Sequence, residues 1–295
     1  MSRKTRELIV KTILLFAAMS SLIFLGGIVI VLFTQGLPIL NIVGIKGFLF
    51  GTNWYPTHEN PEFGILPMIF GSLIITAGAL LFAAPLGILS ALFIAEIAPF
   101  WVKETMKPTI ELLAGIPSVV YGLFGALVIA PFVQKIFNLP TGLTAFSAAI
   151  VLGIMVLPTV TSVVEDALTS IPKEYREAAL AVGATKWETM TKIVLPAAAS
   201  GISTALILGI GRAIGETMAI LMVAGGSPRI VFSFLKPVRA MTSTIAAEMA
   251  ETVMGSNHYF ALFGIAIVLF IMTLGFNLVA ENISHRFHRR FTATK

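Results

Sequence analysis

The sequence of 295 residues contains no cysteine, and charged residues make up only 12% of it. The absence of cysteine excludes disulfides, zinc–thiolate sites and thiol catalysis. The scarcity of charge argues against an ordinary soluble domain, in which about 25% of residues are charged. No Gly-Lys pair occurs in the chain, so the phosphate-binding loop of P-loop ATPases is missing. No metal-spaced cluster and no nucleophile–base pair stands out, and we expect neither enzymatic activity nor a cofactor bound by this chain.

Apolar runs occupy most of the chain, since 57% of its residues are hydrophobic. Six of them reach the roughly 20 helical residues that cross a hydrocarbon core of about 30 Å. Their continuous apolar character predicts helices, because barrel strands would alternate over about 10 residues. The sequence therefore predicts an all-α integral membrane protein with six transmembrane helices. The six runs are approximately 12–33, 66–94, 112–133, 143–164, 195–223 and 260–280.

Lysine and arginine are concentrated beside these runs, which is typical of membrane topology and not of a nucleic-acid groove. Four basic segments fall on one side of a six-span chain, and we predict that this side is cytoplasmic. The expected product is a multi-pass protein of the cell (inner) membrane with both termini in the cytoplasm. The first run is longer than a signal-peptide core and lacks a cleavage site, so we expect it to be retained. The basic residues are Arg3, Lys4, Arg6 and Lys11; Lys103 and Lys107; Lys173, Arg176, Lys186 and Lys192; and Arg286, Arg289, Arg290 and Lys295.

The densest polar stretch, residues 165–196, lies between the fourth and fifth runs. Pro172 suits the first turn of a helix, and Gly183 suits the left-handed residue that ends one. Thr185 and Glu188 form a T-x-x-E capping box, which predicts that a second helix begins at once. The stretch therefore predicts a helix–turn–helix on the cytoplasmic side. Residues at i, i+3, i+4 and i+7 place one face on the first helix, made of Tyr175, Ala178, Ala179 and Val182.

A longer pattern in this stretch resembles a known family signature. Glu177, Ala178 and Ala179 are followed by three residues, Gly183, nine residues, and the sequence Ile193-x-Leu195-Pro196. This resembles the E-A-A-x3-G-x9-I-x-L-P signature of ABC importer permeases at every fixed position. The resemblance implies that the stretch is a coupling element that docks on a separate ATPase subunit. It also implies an ABC type I importer permease fold.

Two further stretches resemble the phosphate-specific permeases. These are LAGIPSVVYGLFG at 113–125 and GRAIGETMA at 211–219, and they are closer to the PstC-type than to the PstA-type subunit. The resemblance implies a phosphate importer working by alternating access. Its partners would be a PstA-type permease, a cytoplasmic PstB-type ATPase dimer that uses ATP and Mg, and an external PstS-type phosphate-binding protein. It also implies three parts: 1–65 with the first helix and external loop, the permease domain 66–283, and the basic tail 284–295.

Arg212 and Glu216 are the clear ionisable residues well inside a run. A central arginine is costly in a bilayer, so it should face the bundle interior and have a partner. The spacing i, i+4 would let the two residues pair with each other. We expect them to line an anion pathway, because a guanidinium offers bidentate donors to phosphate. The competing interpretation is that the pair only cements a subunit interface.

Several alternatives remain open from the sequence. The importer could carry another oxyanion or small solute. A secondary transporter is a different class, but it would need several intramembrane acidic groups, and Glu216 alone qualifies. Trp54 and Tyr55 could anchor at the headgroup layer or bind a ligand. His285 and His288 lie in a basic tail, which favours contact with membrane lipid over metal binding.

Three more features have two interpretations each. The third run is interrupted by Gly115, Pro117, Gly122 and Gly125, which suits either a broken helix along a pathway or close packing of small residues. The hydroxyls of the fourth run either bond their own backbone or face the pathway. A short helix between the last two runs, with Met241, Ile245 and Met249 on one face, either packs on the bundle or meets an external partner. The hydroxyl residues are Thr159, Thr161 and Ser162.

Overall fold

The computed structural model describes residues 3–292, and of Arg3, Ala280 and residues 283–292 it describes the backbone alone. The side chains of the predicted basic tail, including His285 and His288, lie outside the described residues. The first third of the chain contains α1 Arg3–Gly36, α2 Pro38–Val43, α3 Ile45–Phe50, β1 Trp54–Tyr55, β2 Glu62–Phe63 and α4 Leu66–Leu92, which a π-helical turn extends to Ile97.

The middle contains α5 Phe100–Ala114, α6 Ser118–Phe124 with a π-helical turn at Gly125–Ile129, α7 Ala130–Phe137, α8 Ala145–Thr169 and α9 Lys173–Ala181. The last part contains α10 Lys186–Glu188, a π-helical turn at Thr189–Val194, α11 Leu195–Ala197, α12 Ala199–Gly215, α13 Met218–Val223, α14 Met241–Glu248 with a 3-10 turn at Met249–Glu251, and α15 Asn257–Thr292. The prediction of a helical protein is confirmed. The exception among the described residues is the short antiparallel pair β1–β2, in which Trp54 faces Phe63.

Five helical segments of the described chain are long and apolar enough to cross a membrane. A sixth is reached if the bent pair Lys186–Ala197 and Ala199–Gly215 counts as one span. The bend between its two halves is 66°. The five are Lys4–Val43, Leu66–Ile97, Ser118–Phe137, Ala145–Thr169 and Asn257–Val279.

The central pair of helices is α4 and α8, and α12 packs against both. Glycines allow the close approach: a Cβ added at Gly87 would lie 2.8 Å from Val160 Cγ1, and one at Gly78 would lie 2.8 Å from Ala149 Cβ. The core there is lined by small and β-branched side chains that are fully buried, such as Ala79 and Val156. Replacing either glycine with alanine would therefore push apart the two helices on which the rest of the bundle is built.

Helix α1 lies at the margin of this bundle and packs on α15, with Phe33 and Phe270 in an edge-to-face contact at 6.5 Å. Most of its apolar side chains are exposed, including Phe16 and Phe24 at 77% and 73%. An apolar surface of this length is unsuited to water and fits contact with lipid or with another membrane chain.

A second, smaller hydrophobic core joins the loop after α1 to the start of α15. Trp54 is 2% exposed in this core, and its indole nitrogen donates to Glu248 Oε2 at 3.0 Å. The expectation that Trp54 anchors at the lipid headgroups was therefore wrong, because its polar atom has an internal acceptor. The short helix α14 also packs here through Met241, Ile245 and Met249, which settles its two interpretations in favour of packing.

Two of the predicted runs are broken. Helix α5 ends at Ala114, Pro117 is extended, and the next span begins only at Ser118, not at the predicted residue 112. The fifth run is interrupted twice, at Ala198 and again at Glu216, which has an extended backbone with ψ 133°. Pro196 cannot donate a backbone hydrogen bond, and the π-helical turn that precedes it accommodates the missing bond.

Candidate functional site

The polar stretch 165–196 has the local structure that its sequence predicts. Pro172 directly precedes α9, and Gly183, just beyond its end, has φ +88°. Thr185 Oγ1 accepts from the amide of Glu188 at 3.2 Å, and Glu188 Oε2 accepts from the amide of Thr185 at 3.1 Å. Both hydrogen bonds of the capping box are therefore formed, and the second helix begins where expected.

The predicted apolar face of α9 mostly points away from the bundle. Of its four residues only Ala179 is buried, whereas Tyr175 is 50% exposed and Val182 is 85% exposed. Ala178 is exposed as well, and so is Glu177 beside it. We call Tyr175, Ala178 and Val182 the docking face. An exposed apolar strip with a small residue at its centre suits close contact with another protein.

Arg176 follows Tyr175 on α9 but points toward the bundle, and its side chain is 21% exposed. Its guanidinium meets the carboxylate of Glu96, with Nη2 at 2.6 Å from Oε1 and Nε at 3.2 Å from Oε2. The same guanidinium donates to the carbonyls of Leu168 at 2.9 Å and Ile171 at 2.8 Å. Sequence reasoning gave Arg176 only a topological role, because nothing local in the sequence pairs it with a residue 80 positions earlier.

A second ion cluster lies nearby at the end of α8. Lys107 Nζ is 2.7 Å from Glu165 Oε2 and 2.8 Å from Asp166 Oδ1. The hydrogen bonds from Asp166 and Glu165 raise the pKa of Lys107 above its usual range. This cluster joins α5 to the end of α8, where the polar stretch 165–196 begins.

Arg212 lies half-buried on α12 and reaches two other helices. Its Nη1 donates to Thr159 Oγ1 at 3.0 Å, and its Nη2 donates to the carbonyl of Ala114 at 3.2 Å. The hydroxyl of Tyr121 donates to the neighbouring carbonyl of Leu113 at 2.8 Å. Arg212 thus gives the carbonyl of Ala114 a partner at the end of α5. Tyr121 adds a second donor to the carbonyl of Leu113, which also accepts from the amide of Ile116.

Glu216 does not pair with Arg212 in the described structure, and the expected i, i+4 ion pair is wrong. Helix α12 ends at Gly215, so the two side chains are no longer on one helical face. Glu216 Oε1 accepts from the amide of Ala219 at 3.1 Å, and the Glu216 carbonyl accepts from Thr242 Oγ1 at 2.7 Å. The carboxylate therefore caps the start of α13, where a helix N-terminus favours negative charge.

Two hydroxyls of α8 have different partners. Thr161 Oγ1 donates to the carbonyl of Leu157 at 2.9 Å, within its own helix. Thr159 faces Arg212 instead. Across the part of the chain that the structure describes, no cluster of His, Cys, Asp and Glu could hold a metal ion.

Comparison with known proteins defines the class. Residues 83–293 match the family described as "Binding-protein-dependent transport system inner membrane component". This match covers more than two thirds of the chain, and the chain belongs to that family of membrane transport components. It is a multi-pass membrane permease subunit, as its apolar helices and their fold indicate.

Two relatives show which kind of permease this chain resembles. The chain is 40% identical over 93% of its length, and 87% of the relative's, to "Probable ABC transporter permease protein YqgH" of Bacillus subtilis. It is 35% identical over 93% of its length, and 88% of the relative's, to "Phosphate transport system permease protein PstC" of Mesorhizobium japonicum. The resemblance to PstC-type permeases is thereby confirmed.

Solved structures bear on the fold alone. A chain of the bacterial alginate ABC transporter, crystallised with an alginate-bound periplasmic protein, superposes with a TM-score of 0.67 at 20% identity. The match covers 96% of both chains. The predicted ABC importer permease fold is therefore confirmed.

Proposed function

We propose that this chain is the transmembrane permease subunit of an ATP-driven phosphate importer and forms half of the translocation pathway by alternating access. The observation that carries the proposal is the similarity to a phosphate permease along nearly the whole chain, with 93% of its length aligned. The half-buried Arg212 at a helix break supplies the chemistry that an anion pathway requires.

The proposed topology has six spans with both termini in the cytoplasm. The bent fifth span, with its 66° turn, supplies the sixth crossing. This arrangement puts α9 and the Lys107 cluster on the cytoplasmic side and the Glu248 core outside. The proposed parts are residues 1–65, the permease domain 66–283 and the tail 284–295.

The proposed coupling residues are Glu177, Ala178, Ala179 and Gly183. Ala178 lies on the exposed docking face, and buried Ala179 lets α9 lie close to the π-helical turn that follows α10. Gly183 turns the chain directly into the next helix through its left-handed backbone. Movement of a bound ATPase would thus reach α12, which carries Arg212, through a continuous series of short helices.

The proposed pathway residues are Arg212 and Glu216. Arg212 donates to a neutral hydroxyl and to a backbone carbonyl, which are weaker acceptors than a phosphate oxygen. A passing phosphate could therefore displace them without breaking an ion pair. Glu216 lies just beyond the end of α12 and would repel an anion held too tightly.

The proposed assembly has a PstA-type permease as the second half, a PstB-type ATPase dimer on the docking faces and a PstS-type binding protein outside. This chain would bind no cofactor, and the ATPase would use ATP and Mg. The missing P-loop supports this division of labour. The alternative is an importer of another oxyanion or small solute, since the relative with 40% identity has no substrate in its name.

The test is ATPase stimulation in the reconstituted complex. Purified complex in lipid is mixed with phosphate-loaded, sulfate-loaded or molybdate-loaded binding protein, and ATP hydrolysis is measured. We expect stimulation by the phosphate-loaded protein alone. If another loaded binding protein stimulates hydrolysis and the phosphate-loaded one does not, the proposed substrate is wrong and the permease role is unaffected.

A further inference from the structure

Helix α9 has two connections to the rest of the structure, one through packing and one through the side chain of Arg176. Among its residues only Ala179 is buried, and its packing is chiefly against the π-helical turn Thr189–Val194. Arg176, in contrast, reaches Glu96 in the π-helical turn at the end of α4 and two carbonyls at the end of α8. The guanidinium therefore connects α9 to both helices of the central pair.

The geometry of this connection is directional. Nε and Nη2 together grip the Glu96 carboxylate, while Nη1 and Nη2 hold the carbonyls of Ile171 and Leu168. A planar guanidinium with its donors occupied cannot rotate without losing several hydrogen bonds at once. A force applied to α9 is thus passed to α4 and α8 together.

The position of Arg176 separates this connection from docking. Arg176 points toward Glu96 at the end of α4 and not along the docking face, and the Glu96 side chain is only 12% exposed. A bound ATPase would contact Tyr175, Ala178 and Val182 without needing to touch the ion pair. Docking and force transfer are then carried by different side chains of one short helix.

We propose that Arg176 and Glu96 are positioning residues that convert movement of α9 into movement of α4 and α8. This inference rests on the proposed function, because it takes α9 to be the element that meets the ATPase. Loss of the pair should leave the ATPase bound and active but should disconnect hydrolysis from transport.

The test compares Arg176→Gln and Glu96→Gln with wild type in the full complex in proteoliposomes. The ATPase subunit should still co-purify, and ATP hydrolysis should persist. Phosphate transported per ATP should fall by at least about tenfold, the change expected when a charge-assisted hydrogen bond no longer favours one conformation. Arg176→Lys and Glu96→Asp keep both charges and should give intermediate ratios.

Matched controls come from the same segment. Lys192→Gln breaks the exposed pair between Lys192 and Glu188, and Lys173→Gln removes a charge from α9 itself. Both should leave the transport-to-hydrolysis ratio unchanged.

The outcomes separate the two proposals. Failure of the wild-type complex to transport phosphate would overturn the proposed function. A wild-type complex that transports, with normal ratios in both glutamine variants, would overturn this inference alone. If the glutamine variants fail to assemble, the ratios of Arg176→Lys and Glu96→Asp are used instead, and normal ratios in both would then overturn the inference.

Discussion

Arg212 and Ala114 are 98 residues apart in the chain, and the guanidinium of one donates to the carbonyl of the other at 3.2 Å. The contact joins α12 to the end of α5 at the break of the third span. It places the half-buried guanidinium of Arg212 beside a carbonyl at the end of a helix. An anion that enters this place would compete with a carbonyl for the guanidinium.

Replacing Arg212 with lysine should reduce phosphate uptake more than it reduces assembly. A lysine keeps the charge but cannot donate to Thr159 and Ala114 from a planar fork. Loss of one charge-assisted hydrogen bond, about 1.5–3 kcal/mol, predicts a drop in uptake of roughly 10- to 100-fold. Uptake and co-purification of the ATPase are measured side by side. Normal uptake in an assembled Arg212→Lys complex would remove Arg212 from the pathway.

Glu216 should respond differently to two substitutions. Glu216→Gln retains an oxygen that can accept from the amide of Ala219, so stability should be nearly unchanged while the charge is lost. Glu216→Ala loses the cap and should cost about 1 kcal/mol of stability. Thermal unfolding and phosphate uptake of both variants are compared. If Glu216→Gln transports as wild type does, the carboxylate is a helix cap and nothing more.

Glu248 is the common partner of three side chains beside the smaller hydrophobic core, and its removal should destabilise that region. Its carboxylate lies 2.6 Å from Arg239 Nη1 and 2.8 Å from His258 Nε2, and it also accepts from Trp54. Glu248→Ala would leave Arg239 without its carboxylate and should cost about 2 kcal/mol. The loss is read from thermal unfolding in detergent. Glu251→Ala, on the exposed 3-10 turn, is the control and should change little.

Gly183 should tolerate asparagine but not proline. Its φ of +88° lies in the left-handed region, which asparagine enters at modest cost and proline cannot enter. Gly183→Asn should keep the ATPase bound and transport active. Gly183→Pro should misplace the docking face, and the ATPase should be lost on purification. Equal retention of the ATPase by both variants would show that the turn does not position the docking face.

Local chemistry explains what the sequence predicts well. Gly183 and the Thr185–Glu188 capping box depend on neighbouring residues only, and both have the expected geometry. The apolar runs likewise predict helices wherever no break intervenes. The signature from Glu177 to Pro196 led to the family because it depends on spacing and not on tertiary contacts.

Long-range contacts explain what was missed. The helix break at Glu216 contains no proline. The Glu216 carbonyl accepts a hydrogen bond from Thr242, which lies 26 residues away. The sequence suggested the headgroup layer for Trp54 because it does not show that Glu248, 194 residues away, accepts from the indole nitrogen. From the sequence, Arg176 indicates only membrane topology, because its partner Glu96 lies 80 residues earlier in the chain. Each of these side chains has a partner that no local pattern can reveal.

The most direct measurement of the central claim is uptake of radiolabelled phosphate into proteoliposomes. They contain this chain with its partner permease and ATPase, with ATP inside and phosphate-loaded binding protein outside. We predict ATP-dependent accumulation of phosphate that Arg212→Lys strongly reduces and that excess sulfate leaves unchanged. Accumulation of sulfate in its place, or no ATP-dependent accumulation of phosphate by the assembled wild-type complex, would contradict it.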